Sequence, residues 1–159
     1  QVNPVAFEPP IAPHIAAQQA DRRLDADRIA ALCRGVMMQP ADFMIIEGAG
    51  GWRVPLNNRQ TLADIPKLLR TPVILVVGMK LGCISHTLLT VEAIVKDGLR
   101  LAGWVANRAG DDMSCYSENL ETLKSMLSAP LLGEIPHIEE CSALNMAKYI
   151  DLTALLIDQ

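Results

Sequence analysis

The chain has 159 residues, half of them hydrophobic, and a net charge of −4, enough for one sizeable core and therefore for one domain or part of one. That charge gives no footing for nucleic acid or an anionic membrane surface, and the longest apolar runs, such as Val73 to Val77, fall far short of a membrane span. Cys33, Cys83, Cys115 and Cys141 are scattered without a CxxC pair, which fits reduced thiols in a cytoplasm better than a disulfide framework or a zinc site.

The opening thirteen residues carry Pro4, Pro9, Pro10 and Pro13 and read as a loop, with no charged and apolar leader before them. Because the chain begins at Gln1 inside such a loop, a preceding segment is expected. Ile15 to Ala20 suits a short helical turn. Asp25 precedes a periodic segment in which Ile29, Leu32, Cys33, Val36 and Met37 share a face, ended by Pro40. Phe43 to Ile46 is a continuous apolar run that predicts a buried parallel strand. It leads into Glu47, Gly48, Ala49, Gly50 and Gly51, an acid and a flexible corner where a strand meets a site. Thr61 to Leu69 reads as a helix with Pro66 as a defect inside it.

Val73 to Val77 is the strongest strand in the pattern. Gly78 to Cys83 follows it, and Ser85 is placed to cap a helix whose Leu88, Leu89, Val91, Ile94 and Val95 point inward before Gly98 closes it. Leu101 to Ala106 is a strand ending at Asn107 and Arg108. Tyr116 to Met126 is a helix with an apolar stripe of Leu120, Leu123 and Leu127. Leu131 to Ile135 is the last strand, stopped by Pro136, and Tyr149 to Ile157 closes the chain as a helix.

Strands and helices thus alternate, beginning and ending on helices, with four predicted strands, which argues for an α/β parallel sheet covered by helices on both faces. Ligands of such sheets collect beyond the carboxyl ends of the strands. Those ends carry Glu47 to Gly51, Lys80 to Ser85, Asn107 with Arg108, and Pro136 with His137. Glu47 is a hard oxygen ligand suited to Mg²⁺. Gly82, Cys83, Ile84 and Ser85 open a helix and offer backbone N–H groups to a carboxylate or phosphate. The Asn107 amide can donate and accept toward a base edge. Lys80 is read as a solvated strand-end lysine, and His14, His86 and His137 as ordinary histidines.

These same residues carry a family resemblance. Ile46-Glu47-Gly48-Ala49-Gly50-Gly51, Val77 to Ile84, Gly103-Trp104-Val105-Ala106-Asn107, and Ala129 to Pro136 closely resemble, in this order, the dethiobiotin synthetases. The resemblance covers essentially the whole chain. It implies a P-loop NTPase-like, Rossmann-like three-layer fold of which residues 1–159 are the carboxyl-terminal part. It also implies a cytoplasmic, homodimeric ligase of biotin biosynthesis that binds neither nucleic acid nor membrane. Such an enzyme uses ATP and Mg²⁺ to join CO₂ to 7,8-diaminononanoate, through a phosphorylated carbamate that the second amine closes into a ring.

Residue by residue, the resemblance makes Glu47 the catalytic Mg²⁺-binding acid and Gly48, Ala49, Gly50 and Gly51 the nucleotide-side loop. Asn107 becomes the adenine contact, Pro136, His137 and Ile138 the base pocket, and Gly82, Cys83, Ile84 and Ser85 the grip on the substrate carboxylate across a dimer interface. The chain departs from the family in having no Gly-Lys pair. The family's phosphate loop, catalytic lysine and a further Mg²⁺-binding aspartate would lie upstream of Gln1, so these residues alone are expected to bind ATP poorly and to be inactive. Ser85 stands where relatives often have Asn, and Asn119 where they place a substrate-contacting tyrosine, with Tyr116 one turn earlier. Glu139 and Glu140 come early for the acid that follows the base pocket. Two other outcomes stay open: a non-catalytic remnant that only dimerises or binds substrate, and a related P-loop amide ligase such as a cobyrinic acid synthase.

Overall fold

The computed structural model describes residues 3–108, 110, 113–138 and 142–156. Glu139, Glu140, Cys141 and the predicted helix end at Ile157 lie outside them. The chain divides into two compact units, Gln1–Thr71 and Pro72–Gln159.

The first unit is helical. Pro13 sits at the start of α1, Pro13–Gln19, where its missing N–H is not needed. In α2, Ala26–Met37, the Asp25 carboxylate accepts from the Arg28 N–H at 3.0 Å and caps the helix. The face of α2 that packs is set by Ala26 and Ala30, both fully buried, with Ile29 beside them. Leu32, Val36 and Met37, predicted on the apolar face, stay exposed. α3 covers only Asp64–Leu69, shorter than predicted. Starting there puts Pro66 in the first turn, where the lack of a donor does no harm. α3 ends in a left-handed Arg70, φ 55, with Arg70 N–H on the Lys67 carbonyl and Thr71 N–H on the Pro66 carbonyl. Phe7, Leu24, Leu56, Ile65 and their neighbours fill this unit's core.

One strand prediction fails here. Residues 43–46 form no strand among the described residues, and Phe43, Met44, Ile45 and Ile46 are all exposed, Ile45 by 77%. An apolar run becomes a strand only with a ladder partner for its N–H and C=O groups, and none pairs with it here. Among the described residues the expected four-stranded alternation is therefore three strands, with three helices before the first.

The second unit is the parallel sheet. β1, Val73–Gly78, pairs with β2, Leu101–Asn107, and β2 pairs with β3, Leu131–Ile135, in the order β1-β2-β3. Alternate side chains choose opposite faces. Val77, Trp104 and Ala106 pack with Leu120, Leu123 and Leu127, the predicted stripe of α5, Tyr116–Met126, and with Cys83 of α4, Cys83–Lys96. Val105, Leu132 and Ile135 turn the other way, onto Met146 of α6, Ala143–Ala147, Ile150, and Ala154 and Leu155 of α7, Thr153–Leu156. Helices thus flank both faces.

Three details differ from the sequence pattern. α4 begins at Cys83, with Gly82 at φ 92 as its cap, so Ser85 lies in the first turn instead of capping it. Leu89 and Val95 of α4 are exposed, 61% each, while Thr87 and Ile94 are buried. Leu89 sits across the helix from Thr87 by the 3.6-residue period. The closing helix predicted from Tyr149 is confined among the described residues to α7, because Ile150 forms an antiparallel bridge with Gly133 and Asp151 then accepts from the Thr153 N–H at 2.9 Å to start α7, while α6 lies before the predicted span. Gly98 closes α4 as predicted, at φ 77, with Gly98 N–H on Val95 and Leu99 N–H on Ile94.

Candidate functional site

The second unit brings three strand ends into one row. Gly78 pairs with Asn107, and Asn107 with Ile135, so the segments that follow, Met79–Lys80, Arg108 and Pro136-His137-Ile138, leave the sheet side by side. The row is pinned by backbone bonds: Met79 N–H to the Asn107 carbonyl and Arg108 N–H to the Ile135 carbonyl, both 2.9 Å. A carbonyl engaged in the ladder leaves the Asn107 side-chain amide as that residue's group for a ligand.

Gly82 to Ser85 follow β1 in the same unit. The left-handed Gly82 turns the chain into α4, and the Gly82 carbonyl accepts the first helical bond, from His86 N–H at 3.1 Å. Cys83 N–H is already used, donating to Lys80 O at 2.9 Å, and its side chain is buried in the core. The remaining amides of the first turn belong to Ile84 and Ser85, which by position have no intrahelical acceptor. With the helix dipole behind them they suit an anion, to the extent of about 0.3–1 kcal/mol when exposed. Lys80 and His86 are exposed, and the His86 ring lies against Gly82, 3.6 Å from where a Cβ would stand.

Glu47 and Gly48 to Gly51 belong to the first unit and are exposed. Gly50 and Gly51 adopt φ 81 and 116, values that only glycine takes without strain, and a Cβ on Gly50 would stand 3.1 Å from Val54. A single exposed carboxylate beside such a corner fits the way Mg²⁺ is held, by one or two acids together with phosphate oxygens and water. Among the described residues no three His, Cys, Asp or Glu groups converge as an all-protein metal cage.

The first unit also holds a network no motif announced. The Gln60 side-chain oxygen accepts from Ala26 N–H at 3.1 Å and from the Asn57 amide at 2.9 Å, and its nitrogen donates to Asp27. Asn57 also donates to Leu24 O and accepts from the Arg59 and Gln60 N–H groups. It ties the 55–61 turn to the start of α2. The signal in sequence is a polar run with three amides, Asn57-Asn58-Arg59-Gln60.

In the second unit, Arg108 lies with its guanidinium carbon 4.6 Å from the centre of the Tyr116 ring. Burial first, and then the nearby Glu134 carboxylate, push the Tyr116 hydroxyl well above its ordinary range. Asn119 uses its amide within its own helix, donating to Cys115 O at 2.8 Å. Burial raises the Cys33 thiol, and the imidazole Nδ1 of His14 is buried with no hydrogen-bond partner among the described residues.

Comparison with known proteins supplies the family. Residues 1–145 match the family described as an AAA domain. The ATP-dependent dethiobiotin synthetase of Cellvibrio japonicus is 57% identical over 156 residues, covering 98% of this chain and 68% of the relative. Those of Marinobacter nauticus and Pseudomonas aeruginosa are 49% and 52% identical with the same coverage. The chain belongs to the dethiobiotin synthetase family. A parallel sheet flanked by helices is the α/β, P-loop-like architecture that membership predicts. The chain spans about two thirds of the length of these synthetases. No helix among the described residues is long and apolar enough to cross a membrane.

Proposed function

We propose that this chain forms the metal, base and diamine side of an ATP-dependent dethiobiotin synthetase, a cytoplasmic ligase that closes 7,8-diaminononanoate and CO₂ into the ureido ring of dethiobiotin. The observation that carries this reading is the row Gly78, Asn107, Ile135 with the α4 start beside it. In this role Asn107 reads the adenine edge and Pro136, His137 and Ile138 line the base. The Ile84 and Ser85 amides hold the substrate carboxylate, with Gly82 and Cys83 shaping the turn. Glu47 holds Mg²⁺, which when bound offsets phosphate charge, and Gly48, Ala49, Gly50 and Gly51 let the backbone approach the nucleotide.

Both units belong, in this reading, to one P-loop-type domain, and the active unit is a homodimer. Leu81 and Leu89, exposed by 93% and 61% on and beside the outer side of α4, support a second copy seated there. Phosphoryl transfer relies on lysines and a phosphate loop that position and neutralise the transferred group. These residues contain no Gly-Lys pair, so activity is proposed for the natural polypeptide in which such a loop accompanies them.

Titration calorimetry on that polypeptide tests the reading, with ATP and Mg²⁺ and separately with 7,8-diaminononanoate. Binding of both, with diaminononanoate affinity lost in Gly82→Val, is the expected result. Nucleotide binding without affinity for the diamine points to an amide ligase of other substrate, and diamine binding without nucleotide to a non-catalytic remnant.

A further inference from the structure

Arg108 extends β2 by one rung past the proposed base contact, and its side chain turns onto an aromatic ring. Tyr116 opens α5, and it is delivered there by Cys115, which holds φ 54 and ψ 39 as the helix cap. A non-glycine residue seldom adopts that conformation, and its persistence means the surroundings hold it. The ring packs against the core of Val77, Trp104, Ala106 and Leu120, so it is a fixed platform. Its hydroxyl is buried, with the Glu134 carboxylate as its polar neighbour. A buried phenol kept neutral beside Glu134 presents the ring face as its interaction surface, and a guanidinium stacks there in preference to an ammonium.

We infer that Tyr116 is a positioning residue for the base end of the nucleotide site: its ring fixes the Arg108 guanidinium and, through it, the end of β2 that presents Asn107. The inference rests on the base-contact reading of Asn107 given above. The platform acts on nucleotide binding and not on the chemical step, because the row it steadies carries no group assigned to phosphoryl transfer.

Steady-state kinetics on the complete natural polypeptide, with ATP and with GTP, test it. Tyr116→Leu raises the KM for ATP on the order of tenfold, narrows the preference for ATP over GTP and leaves kcat within about twofold. Tyr116→Phe, which keeps the ring, stays within about twofold of the parent. Arg108→Gln reproduces the Tyr116→Leu phenotype, and the double variant is no worse than the poorer single one. A folded Tyr116→Leu protein with unchanged KM, a loss confined to kcat, Tyr116→Phe as impaired as Tyr116→Leu, or additive losses would each overturn the inference. Should Tyr116→Leu fail to fold by circular dichroism, Arg108→Gln with parental KM and selectivity does so alone. Asn107→Ala with parental KM for ATP would instead remove the base-contact reading beneath it.

Discussion

Gly133→Ala is the sharpest test of how the sheet is closed on its far edge. A Cβ on Gly133 would stand 2.2 Å from the Tyr149 carbonyl oxygen and 3.1 Å from the Ile150 Cα. A carbon–oxygen contact needs about 3.3 Å, so roughly 1 Å must be found by moving backbone on one side or the other. The side free to move is the 149–151 segment, since β3 is held by β2. Moving it breaks the Gly133–Ile150 bridge and the 2.7 Å bond from Asp151 N–H to Leu132 O. It also loosens Met146, Ile150 and Leu155 from Val105, Leu132 and Ile135. One backbone hydrogen bond is worth about 1 kcal/mol net and a forced repacking about 1–3 kcal/mol, so the substitution destabilises by about 2–4 kcal/mol. Urea unfolding followed by circular dichroism reads this as a lower midpoint at unchanged slope. Gly35→Ala is the opposed control: Gly35 is exposed within α2 with no atom within 4 Å of an added Cβ, and alanine there stabilises by about 0.5–1 kcal/mol. A Gly133→Ala protein within about 0.5 kcal/mol of the parent would refute the idea that the glycine is kept for the close approach of the 149–151 backbone.

Three further outcomes follow from local geometry. Arg70→Gly removes the left-handed strain at the end of α3, where Arg70 sits at φ 55 and exposed, and raises the melting free energy by about 0.5–1 kcal/mol; a loss would mean the arginine side chain matters more than its backbone. Gln60→Ala leaves Ala26 N–H without its acceptor and the Asn57 amide with Leu24 O alone, and lowers stability by about 2 kcal/mol, which urea titration resolves. Burial acts to raise the Asp64 carboxyl, but hydrogen bonds from Thr61 and Lys67 and the Lys67 charge prevail and hold it below its ordinary value. A depressed carboxylate contributes stability that is complete above the unfolded value and is lost as pH falls through the folded one. The stability gap between the parent and Asp64→Asn is therefore constant at neutral pH and closes in acid below the usual aspartate range; a gap that widened on acidification would contradict the assignment.

Much of the sheet was legible because its signals are local. Val73 to Val77 and Leu101 to Ala106 are apolar runs that end at a glycine or an amide, Leu131 to Ile135 is a short segment bracketed by Pro130 and Pro136, and the α5 stripe of Leu120, Leu123 and Leu127 is buried as its spacing requires. Phe43 to Ile46 carries the same local signal without the result, since pairing is a property of two segments and composition reports only one. The closing helix is shorter than its pattern for a related reason. Nothing in Tyr149 to Ile157 announces that Ile150 is drawn into a bridge with Gly133, a contact open only because position 133 lacks a side chain.

The site divides along the same line. The row that Asn107 shares with the start of the Pro136 to Ile138 turn was legible in the sequence because a parallel ladder aligns the residues that follow its strands, whatever the loops between them do. Cys83 shows the limit of that logic: it stands at the α4 start as expected, yet its amide serves Lys80 and its side chain serves the core, so the proposed anion grip falls to the Ile84 and Ser85 amides. The Arg108–Tyr116 stack was out of reach altogether. The two residues belong to different elements, the helix that carries the ring starts from Cys115 at φ 54, and no propensity favours a left-handed cysteine. In the proposed base site the contacts stand on strand ends and the platform follows a left-handed cap, so a substitution at the platform that leaves the fold intact is expected to cost selectivity before turnover.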